Sequence, residues 1–167
     1  KIAIFGIGGV GHMAIQFAKI EGCEVSAISR KEKHLDVAKK LGTDNVFVYS
    51  SSQEQFLQDV NKKYGLFDAA IVFAPVDEVT DTAIKSIKKG GTVVIATVGK
   101  IPNFLAFEEK TIRGTLIGSR KDMEDVIRIS DENKLEVVTE TFPLEQANEA
   151  LIKLKNSEID ARAVLIP

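Results

Sequence analysis

The chain has 167 residues, a length that suits one domain with a substantial buried core. Its 22 Lys and Arg against 24 Asp and Glu give a net charge of −2, which argues against a nucleic-acid partner. No apolar run approaches bilayer length and no signal peptide precedes Lys1, so we expect no membrane partner and a cytoplasmic location. The single cysteine, Cys23, excludes an internal disulfide and is expected to be a small buried thiol.

The first predicted unit is a strand, a glycine turn and a helix. Residues 1–5 are an apolar strand, and residues 9–21 have the helical spacing of apolar side chains. Because the strand begins at the first residue, we expect the chain to be one domain of a longer polypeptide. The turn between strand and helix reads GIGGVG, the pattern that holds the phosphates of a dinucleotide at a helix N-terminus.

Further strands and helices alternate along the chain. Strands are predicted at residues 24–29, 45–49, 67–73, 92–98 and 111–117. Helices are predicted at residues 32–41, from a cap at Ser51 or Ser52 to residue 64, and around Val79, Ala83 and Ile87. This alternation predicts an α/β fold, a doubly wound, six-stranded parallel sheet of the Rossmann type.

The rhythm changes after Gly118. Met123, Val126, Ile127 and Ser130 predict one helix; Leu144, Ala147, Leu151 and Leu154 predict another. Residues 163–166 predict a short final strand. We therefore divide the chain into a dinucleotide-binding domain, residues 1–118, and a C-terminal helical and strand extension, residues 119–167, that packs on it.

The glycine turn has a chemical role for each small residue. Gly6 can adopt the backbone angles of a tight turn, and Gly8 has no Cβ to obstruct a pyrophosphate. Gly11 lets the helix pack against its strand. The helix N-terminus offers N–H groups and a positive dipole end to the phosphates. A strand, this turn and a helix in succession therefore favour a dinucleotide site over a chance glycine-rich loop.

The end of the second strand bears on the choice of cofactor. Proteins that bind NAD usually place an acidic residue there to hold the ribose 2′-hydroxyl. This chain has Ser29, Arg30 and Lys31 instead, and its first acid, Glu32, falls in the next helix. One charge-assisted contact contributes ~1.5–3 kcal/mol, or roughly ten- to a hundredfold in affinity. The pattern favours NADP, with NAD as the alternative; a solvated basic helix start would also explain it.

Several motifs together resemble the medium-chain, zinc-dependent alcohol dehydrogenases. They are GIGGVGH at residues 6–12, LGTD at residues 41–44, GGT at residues 90–92 and IRGTLIGSR at residues 112–120. They occur in order over nearly the whole chain. Within that family, the Ser29-Arg30-Lys31 sequence is similar to the NADP-preferring cinnamyl-alcohol type.

The resemblance implies a set of cofactor-binding residues. The pyrophosphate loop would comprise Gly6, Gly8, Gly9, Val10 and Gly11, and the 2′-phosphate would be held by Ser29, Arg30 and Lys31. Thr97, Val98 and Gly99 would lie beside the nicotinamide ribose, and Leu116, Ile117 and Gly118 would bind the carboxamide. Arg162 resembles the family's pyrophosphate-contacting arginine, although an exposed strand charge would explain it equally well.

The two histidines are open to structural explanations. His12, at the start of the first helix, could contact a phosphate or only pack in the core. His34, among lysines and glutamate on the second helix, is expected to lie on a solvated face. Catalytic zinc needs three protein ligands, which one cysteine and two scattered histidines do not supply. The resemblance places those ligands in a preceding catalytic domain, so we expect this chain alone to be inactive and to bind no zinc.

The parent enzyme implied by the resemblance transfers hydride between NADP(H) and an alcohol/aldehyde pair, a small-molecule substrate. Two alternatives remain at this stage. One is a zinc-free quinone or enoyl reductase of the same superfamily, and the other is a regulatory nucleotide-sensing domain.

A homodimer is also expected. The apolar sequence Phe104-Leu105-Ala106-Phe107 precedes the sixth strand, and the resemblance implies that segments in this position meet across a two-fold axis. The alternative is that these side chains fold back under the cofactor domain.

Overall fold

A six-stranded parallel sheet forms the centre of the molecule, as a computed structural model shows for residues 1–49, 52–101 and 105–167. Its strand order is β3-β2-β1-β4-β5-β6. The strands are β1 (Ile2–Phe5), β2 (Val25–Ser29), β3 (Asn45–Val48), β4 (Phe67–Val72), β5 (Ile87–Ile95) and β6 (Thr111–Gly114). The prediction of a doubly wound parallel sheet is confirmed.

Helices cover both faces of the sheet. The first four are α1 (Gly11–Ile20), α2 (Glu32–Lys40), α3 (Gln53–Tyr64) and α4 (Asp77–Ser86). Alternate residues of β1 enter two apolar cores: Ile4 packs with α1 and α2, whereas Phe5 packs with α3 and α4. Because β1 is buried on both faces, it reads as a continuous apolar run, as central parallel strands do. Ser52 caps α3 by accepting from the Gln55 N–H; the other candidate cap, Ser51, lies outside the described residues.

The prediction that Ile87 belongs to the fourth helix is wrong. That helix ends at Ser86, and Ile87 begins β5, where it is fully buried and paired with Phe67. The ladder shifts register between Phe67 and Ala69, so Gly90 and Gly91 lie inside the strand rather than before it. A Cβ on Gly91 would lie 2.8 Å from the Asp68 carbonyl oxygen, which explains why only glycine fits this irregularity.

Three predicted boundaries also differ at the carboxyl edge of the sheet. Helix α1 begins at Gly11 rather than residue 9, because the preceding residues form the turn. Strand β5 ends at Ile95 and β6 at Gly114, each three residues earlier than predicted. The residues that follow them leave the ladder and are largely exposed, although their apolar character resembles that of a strand.

The C-terminal extension contains a second, smaller sheet. Helix α5 (Arg120–Asn133) begins with a capping box between Ser119 and Asp122. Strand β7 (Thr139–Pro143), which sequence analysis missed, pairs in parallel with β8 (Arg162–Ile166) across helix α6 (Ala147–Lys155). Phe142, Ala150 and Ile159 form a small core between them.

The extension is attached to the large sheet beside α1 and α2. Gln16 of α1 exchanges two hydrogen bonds with the backbone of Glu136, each 2.8 Å long. Lys33 of α2 forms a 2.7 Å ion pair with Asp160. The division between residues 118 and 119 stays a prediction. No helix in the described part of the chain combines the length and apolar character needed to span a membrane.

Candidate dinucleotide-binding site

A cleft of about 850 Å³ opens at the carboxyl ends of β1 and β2. Strand β1 lies between β2 and β4, where the chain switches from one half of the sheet to the other. Ligands of open α/β sheets bind at such a switch point, outside the carboxyl ends of the strands. The glycine turn after β1, the tip of β2 and residues 73–76 after β4 line the cleft, and Asn156 and Ser157 of the extension close its rim.

Packing within the turn requires Gly6 and Gly11. Gly6 has φ +94°, and a Cβ there would lie 2.9 Å from the Ala74 backbone nitrogen. A Cβ on Gly11 would lie 2.0 Å from the Gly6 carbonyl oxygen. These contacts leave no space for a larger side chain at either position, so both glycines fix the shape of the turn.

Gly8 and Gly9 have different surroundings. A Cβ on Gly8 would have no heavy atom of the described residues within 4 Å, so this glycine borders open cleft rather than packed protein. A Cβ on Gly9 would lie 3.1 Å from the Ala161 carbonyl oxygen and 3.4 Å from the Arg162 guanidinium. The turn therefore offers accessible backbone at Gly8, with a cation close to Gly9.

The start of α1 is suited to an anion. Val10, its N-cap residue, makes no side-chain capping bond and is exposed. Among the described residues no side chain accepts from the first N–H groups of the helix; those of His12 and Met13 donate to the backbone oxygens of Gly8 and Val10, both at 3.1 Å. The positive end of the helix dipole lies beside the open Gly8. This cradle fits the pyrophosphate of a dinucleotide.

His12 has a structural role in holding the turn. Its ring is fully buried; Nδ1 lies 2.9 Å from the Gly8 carbonyl oxygen, and Nε2 accepts from the Val138 N–H at 3.4 Å. The pattern assigns the ring proton to Nδ1. Both ring nitrogens therefore have hydrogen-bond partners within the protein, and His12 links the glycine turn to the C-terminal extension. This geometry favours a packing role for His12 over contact with a phosphate.

The tip of β2 brings Ser29, Arg30 and Lys31 to the cleft rim. The Ser29 side chain is buried, and its Oγ accepts from the Lys31 N–H at 3.3 Å. The Arg30 side chain is exposed and forms no ion pair within the described residues. The Lys31 ammonium instead donates to the carbonyl oxygens of Asn156 and Ser157, at 3.1 and 2.6 Å. Arg30 is thus the freer of the two cations.

The expectation that His34 lies on a solvated face is wrong. The imidazole is partly buried and lines the cleft, with Nδ1 3.3 Å from the Ser29 Oγ. Burial lowers the pKa of His34 below its usual value, and the positive charges of Lys33 and Lys31 act in the same direction. The Ile159 carbonyl and the Asp160 carboxylate oppose this shift. The loop before β8 therefore covers a residue that α2 alone would expose.

Two predicted segments lie outside the cleft lining. Ala96 borders the cleft, but Thr97, Val98 and Gly99 do not. Leu116, Ile117 and Gly118 are also absent from the lining, and the Leu116 side chain is 90% exposed. Both segments follow the carboxyl ends of parallel strands and so belong to the same edge of the sheet as the cleft. Their roles toward a nicotinamide stay predictions, as does the role of Arg162.

Sequence analysis missed Tyr49, Asn156 and Ser157 as cleft residues. Tyr49 follows β3 at the carboxyl edge of the sheet, which was the available signal. Its hydroxyl lies 2.9 Å from the Thr82 hydroxyl and 3.1 Å from Glu78, and burial raises its pKa. The Tyr49 side chain is therefore neutral, is held by hydrogen bonds at its hydroxyl, and forms part of the cleft wall. Among the described residues, no group of three or more His, Cys, Asp or Glu side chains is arranged to hold a metal ion.

The fold, the switch-point cleft and the glycine cradle define a Rossmann-type dinucleotide-binding domain. A family of proteins described as zinc-binding dehydrogenases matches residues 9–132, most of the chain. An alcohol dehydrogenase of Geobacillus stearothermophilus is 32% identical over 98% of this chain and 50% of its own length. The chain therefore belongs to the zinc-binding dehydrogenase family.

Solved structures agree with this assignment. The alcohol dehydrogenase of Aeropyrum pernix superimposes with a TM-score of 0.89 at 26% identity, over 99% of this chain and 49% of that one. The acetophenone reductase of Geotrichum candidum, solved in complex with NAD, gives a TM-score of 0.86 at 26% identity, over 99% and 48% of the two chains. The resemblance to the cofactor-binding domain of medium-chain alcohol dehydrogenases is confirmed, and this chain spans about half the length of these relatives.

Proposed function

We propose that this cleft binds NADP(H), with NAD as the weaker ligand, and that the chain is the cofactor domain of an enzyme that interconverts an alcohol and an aldehyde. One observation supports the cofactor choice: the rim beside the glycine cradle presents the Ser29 hydroxyl and the exposed Arg30 guanidinium, and the sequence at the tip of β2, Ser29-Arg30-Lys31, holds no carboxylate. A guanidinium binds a phosphate bidentately, whereas the acidic residue usual at this tip would repel it.

Different residues of the cradle and rim bind different parts of the cofactor. Backbone groups of Gly6, Gly8, Gly9, Val10 and Gly11 hold the pyrophosphate, and Arg162 adds a positive charge beside Gly9. Ser29 and Arg30 contact the 2′-phosphate. Lys31 contributes mainly through its long-range charge, because the carbonyl oxygens of Asn156 and Ser157 already accept from its ammonium.

The segments after β5 and β6 would orient the reactive end of the cofactor. We assign Thr97, Val98 and Gly99 to the nicotinamide ribose and Leu116, Ile117 and Gly118 to the carboxamide, as the family resemblance implies. A bound nicotinamide supplies the hydride chemistry. This chain's own contribution is to bind and orient the cofactor.

Substrate chemistry belongs to the whole protein. Zinc ligands would come from a catalytic domain outside this chain, where the metal would polarise the oxygen of the substrate. We propose that residues 119–167 pack between that domain and the large sheet, and that the protein is a cytoplasmic homodimer. Zinc content of the intact protein distinguishes this proposal from a zinc-free quinone or enoyl reductase.

Charge reversal at Arg30 tests the cofactor choice. We expect the wild-type protein to bind NADPH roughly ten- to a hundredfold more tightly than NADH, the difference one charge-assisted contact provides. Arg30→Asp should invert this order, because the new carboxylate repels the 2′-phosphate and accepts from a ribose hydroxyl. Dissociation constants for both nucleotides, from cofactor fluorescence or calorimetry, give the measurement.

Lys40→Asp is the matched control. Lys40 is an exposed cation at the far end of the same helix, α2, so its reversal changes the net charge equally without altering the cleft rim. It should leave the ratio of the two dissociation constants close to that of the wild type. Equal wild-type affinities for NADPH and NADH would refute the proposed preference.

A further inference from the structure

A serine and a histidine meet at the rim assigned above to the adenosine ribose. The Ser29 Oγ and the His34 Nδ1 are 3.3 Å apart, and both residues line the cleft. The same Oγ lies 3.3 Å from the Lys31 backbone nitrogen, which can only donate. The hydrogen-bonding partners of the Ser29 hydroxyl within the described residues are therefore the Lys31 N–H and the imidazole.

The charge of His34 determines what Ser29 can offer a ligand. A hydroxyl has one proton and two lone pairs. Beside a neutral imidazole with an unprotonated Nδ1, Ser29 donates to that nitrogen and accepts from Lys31, which leaves one lone pair for a ligand. Beside an imidazolium, Ser29 accepts from both neighbours, which leaves its proton for a ligand. Protonation of His34 therefore converts Ser29 from an acceptor into a donor.

The surroundings of His34 favour the unprotonated Nδ1 in the neutral ring. Its other nitrogen, Nε2, is buried and has no hydrogen-bond partner within the described residues, while the Ile159 backbone raises the pKa of the ring and so favours a proton on it. We therefore assign the neutral proton to Nε2.

Charged groups from the start of α2 and from the loop before β8 act on the ring. Lys31 and Lys33 flank it on its own segment, Asp160 faces it from the loop before β8, and Arg30 lies on the same cleft rim. The lysines and burial favour the neutral form, whereas Asp160 favours the charged form; burial is the largest effect. The pKa of His34 is thus lowered, mainly by burial, so the neutral form is favoured, and a bound dianion would stabilise the charged form instead.

We propose that the protonation state of His34 sets the cofactor preference of this cleft. Neutral His34 leaves Ser29 as an acceptor, which suits the hydroxyl proton at the 2′ position of NADH. Charged His34 leaves Ser29 as a donor and adds positive charge, which suits the 2′-phosphate of NADPH. The preference for NADPH therefore increases as the pH falls, and binding of NADPH at neutral pH takes up a proton. This inference rests on the proposed function.

The test measures dissociation constants of NADPH and NADH between pH 5.5 and 8.5. We expect the ratio of NADH to NADPH constants to increase by about tenfold toward low pH in the wild type, the difference between a neutral and a charge-assisted contact. The phosphate itself loses negative charge below pH ~6, which acts in the opposite direction. In His34→Gln, whose amide carries no charge, the ratio should therefore stay constant or decrease toward low pH.

Calorimetry in two buffers of different ionisation enthalpy provides a second measurement. NADPH binding at pH 7 should take up more protons than NADH binding in the wild type, and this difference should shrink in His34→Gln. The same pH dependence of the ratio in both proteins would overturn the inference while leaving a wild-type preference for NADPH, and so the proposed function, intact. A pH-dependent ratio that favours NADH throughout would instead refute the proposed preference and support the role of His34.

Discussion

At the residue scale, the four glycines of the turn are not equivalent. A Cβ on Gly6 or on Gly11 would lie closer than 3 Å to a protein atom, whereas a Cβ on Gly8 would have no atom of the described residues within 4 Å. The GxGxxG pattern alone does not distinguish packing from ligand access, because both need the absence of a side chain. In the structure, Gly6 and Gly11 are required for packing, whereas Gly8 leaves space for a ligand.

Alanine substitutions should distinguish the glycines needed for packing from the glycine needed for ligand access. Gly11→Ala places its methyl 2.0 Å from the Gly6 carbonyl oxygen, so the free energy of unfolding should decrease by about 1–3 kcal/mol or more. Gly8→Ala meets no atom of the described residues and should leave that free energy within roughly 0.5 kcal/mol of wild type while weakening dinucleotide binding. Denaturant unfolding and cofactor titration of both variants provide the measurement.

The wild-type protein is the reference for both variants. A Gly8→Ala protein that binds cofactor as tightly as wild type would contradict the assignment of this glycine to the pyrophosphate. A Gly11→Ala protein as stable as wild type would contradict the packing argument.

At the element scale, Lys31 connects two parts of the molecule. It lies just before α2, and its ammonium donates to backbone carbonyls just after α6. Carbonyls at the end of a helix are partly negative, so this position favours a cation. The sequence motif suggested a phosphate ligand, but the local geometry indicates a tether for the C-terminal sheet.

Removal of this charge should loosen the extension. Lys31→Met keeps the length of the side chain but loses both hydrogen bonds, and we expect about 1 kcal/mol less stability together with faster amide exchange in β8. The NADPH preference should change less than in Arg30→Asp. Hydrogen exchange by mass spectrometry and the two dissociation constants give the measurements.

Lys62→Met is the matched control, because Lys62 is an exposed lysine in the last turn of α3. It should leave amide exchange in β8 unchanged. If Lys31→Met lost the NADPH preference as fully as Arg30→Asp, Lys31 would be a direct phosphate ligand instead.

The elements of the large sheet were predictable from the sequence because each has a strong local signal. Strand β1 is a continuous apolar run, and β2 is buried throughout. Strand β7 lacked such a signal: Thr139–Pro143 is short and mostly exposed, and its partner β8 begins 19 residues later. Its formation depends on the Phe142 contact with Ala150 and Ile159, which only the folded chain reveals.

The site followed the same pattern. The glycine turn and the tip of β2 are each a short continuous segment with its own sequence pattern, and both line the cleft because each follows the carboxyl end of a parallel strand. Asn156 and Ser157 come from the other end of the chain, and His34 is covered by residues near Ile159. Long-range packing of this kind leaves no local pattern, so these residues could not be found from the sequence.

At the scale of the whole molecule, β6 is an edge strand with apolar residues beside it. Leu105 is 47% and Phe107 72% exposed, and they precede β6 on the chain; Phe104 lies outside the described residues. An unpaired edge next to exposed apolar side chains favours pairing with a second copy. The homodimer stays a prediction.

Leu105→Asp should shift the protein toward monomer. A two-fold contact contains each substituted residue twice, so two buried carboxylates would oppose association. Sedimentation at micromolar concentration should show a dimeric wild type and a monomeric variant. Val48→Asp is the control: Val48 is 46% exposed on β3, the opposite edge of the same sheet, and its substitution should leave the dimer intact. A monomeric wild type would refute the dimer.

The tether from Lys31 to the backbone of Asn156 and Ser157 has a consequence for coenzyme engineering. The three residues proposed to bind the 2′-phosphate, Ser29, Arg30 and Lys31, are contiguous, but Lys31 also anchors the C-terminal sheet. An exchange of this tip that replaces Lys31 would also remove the two hydrogen bonds of the anchor. Such an exchange is therefore expected to lower the free energy of unfolding by about 1 kcal/mol, and a stabilising change near residue 156 would offset that loss.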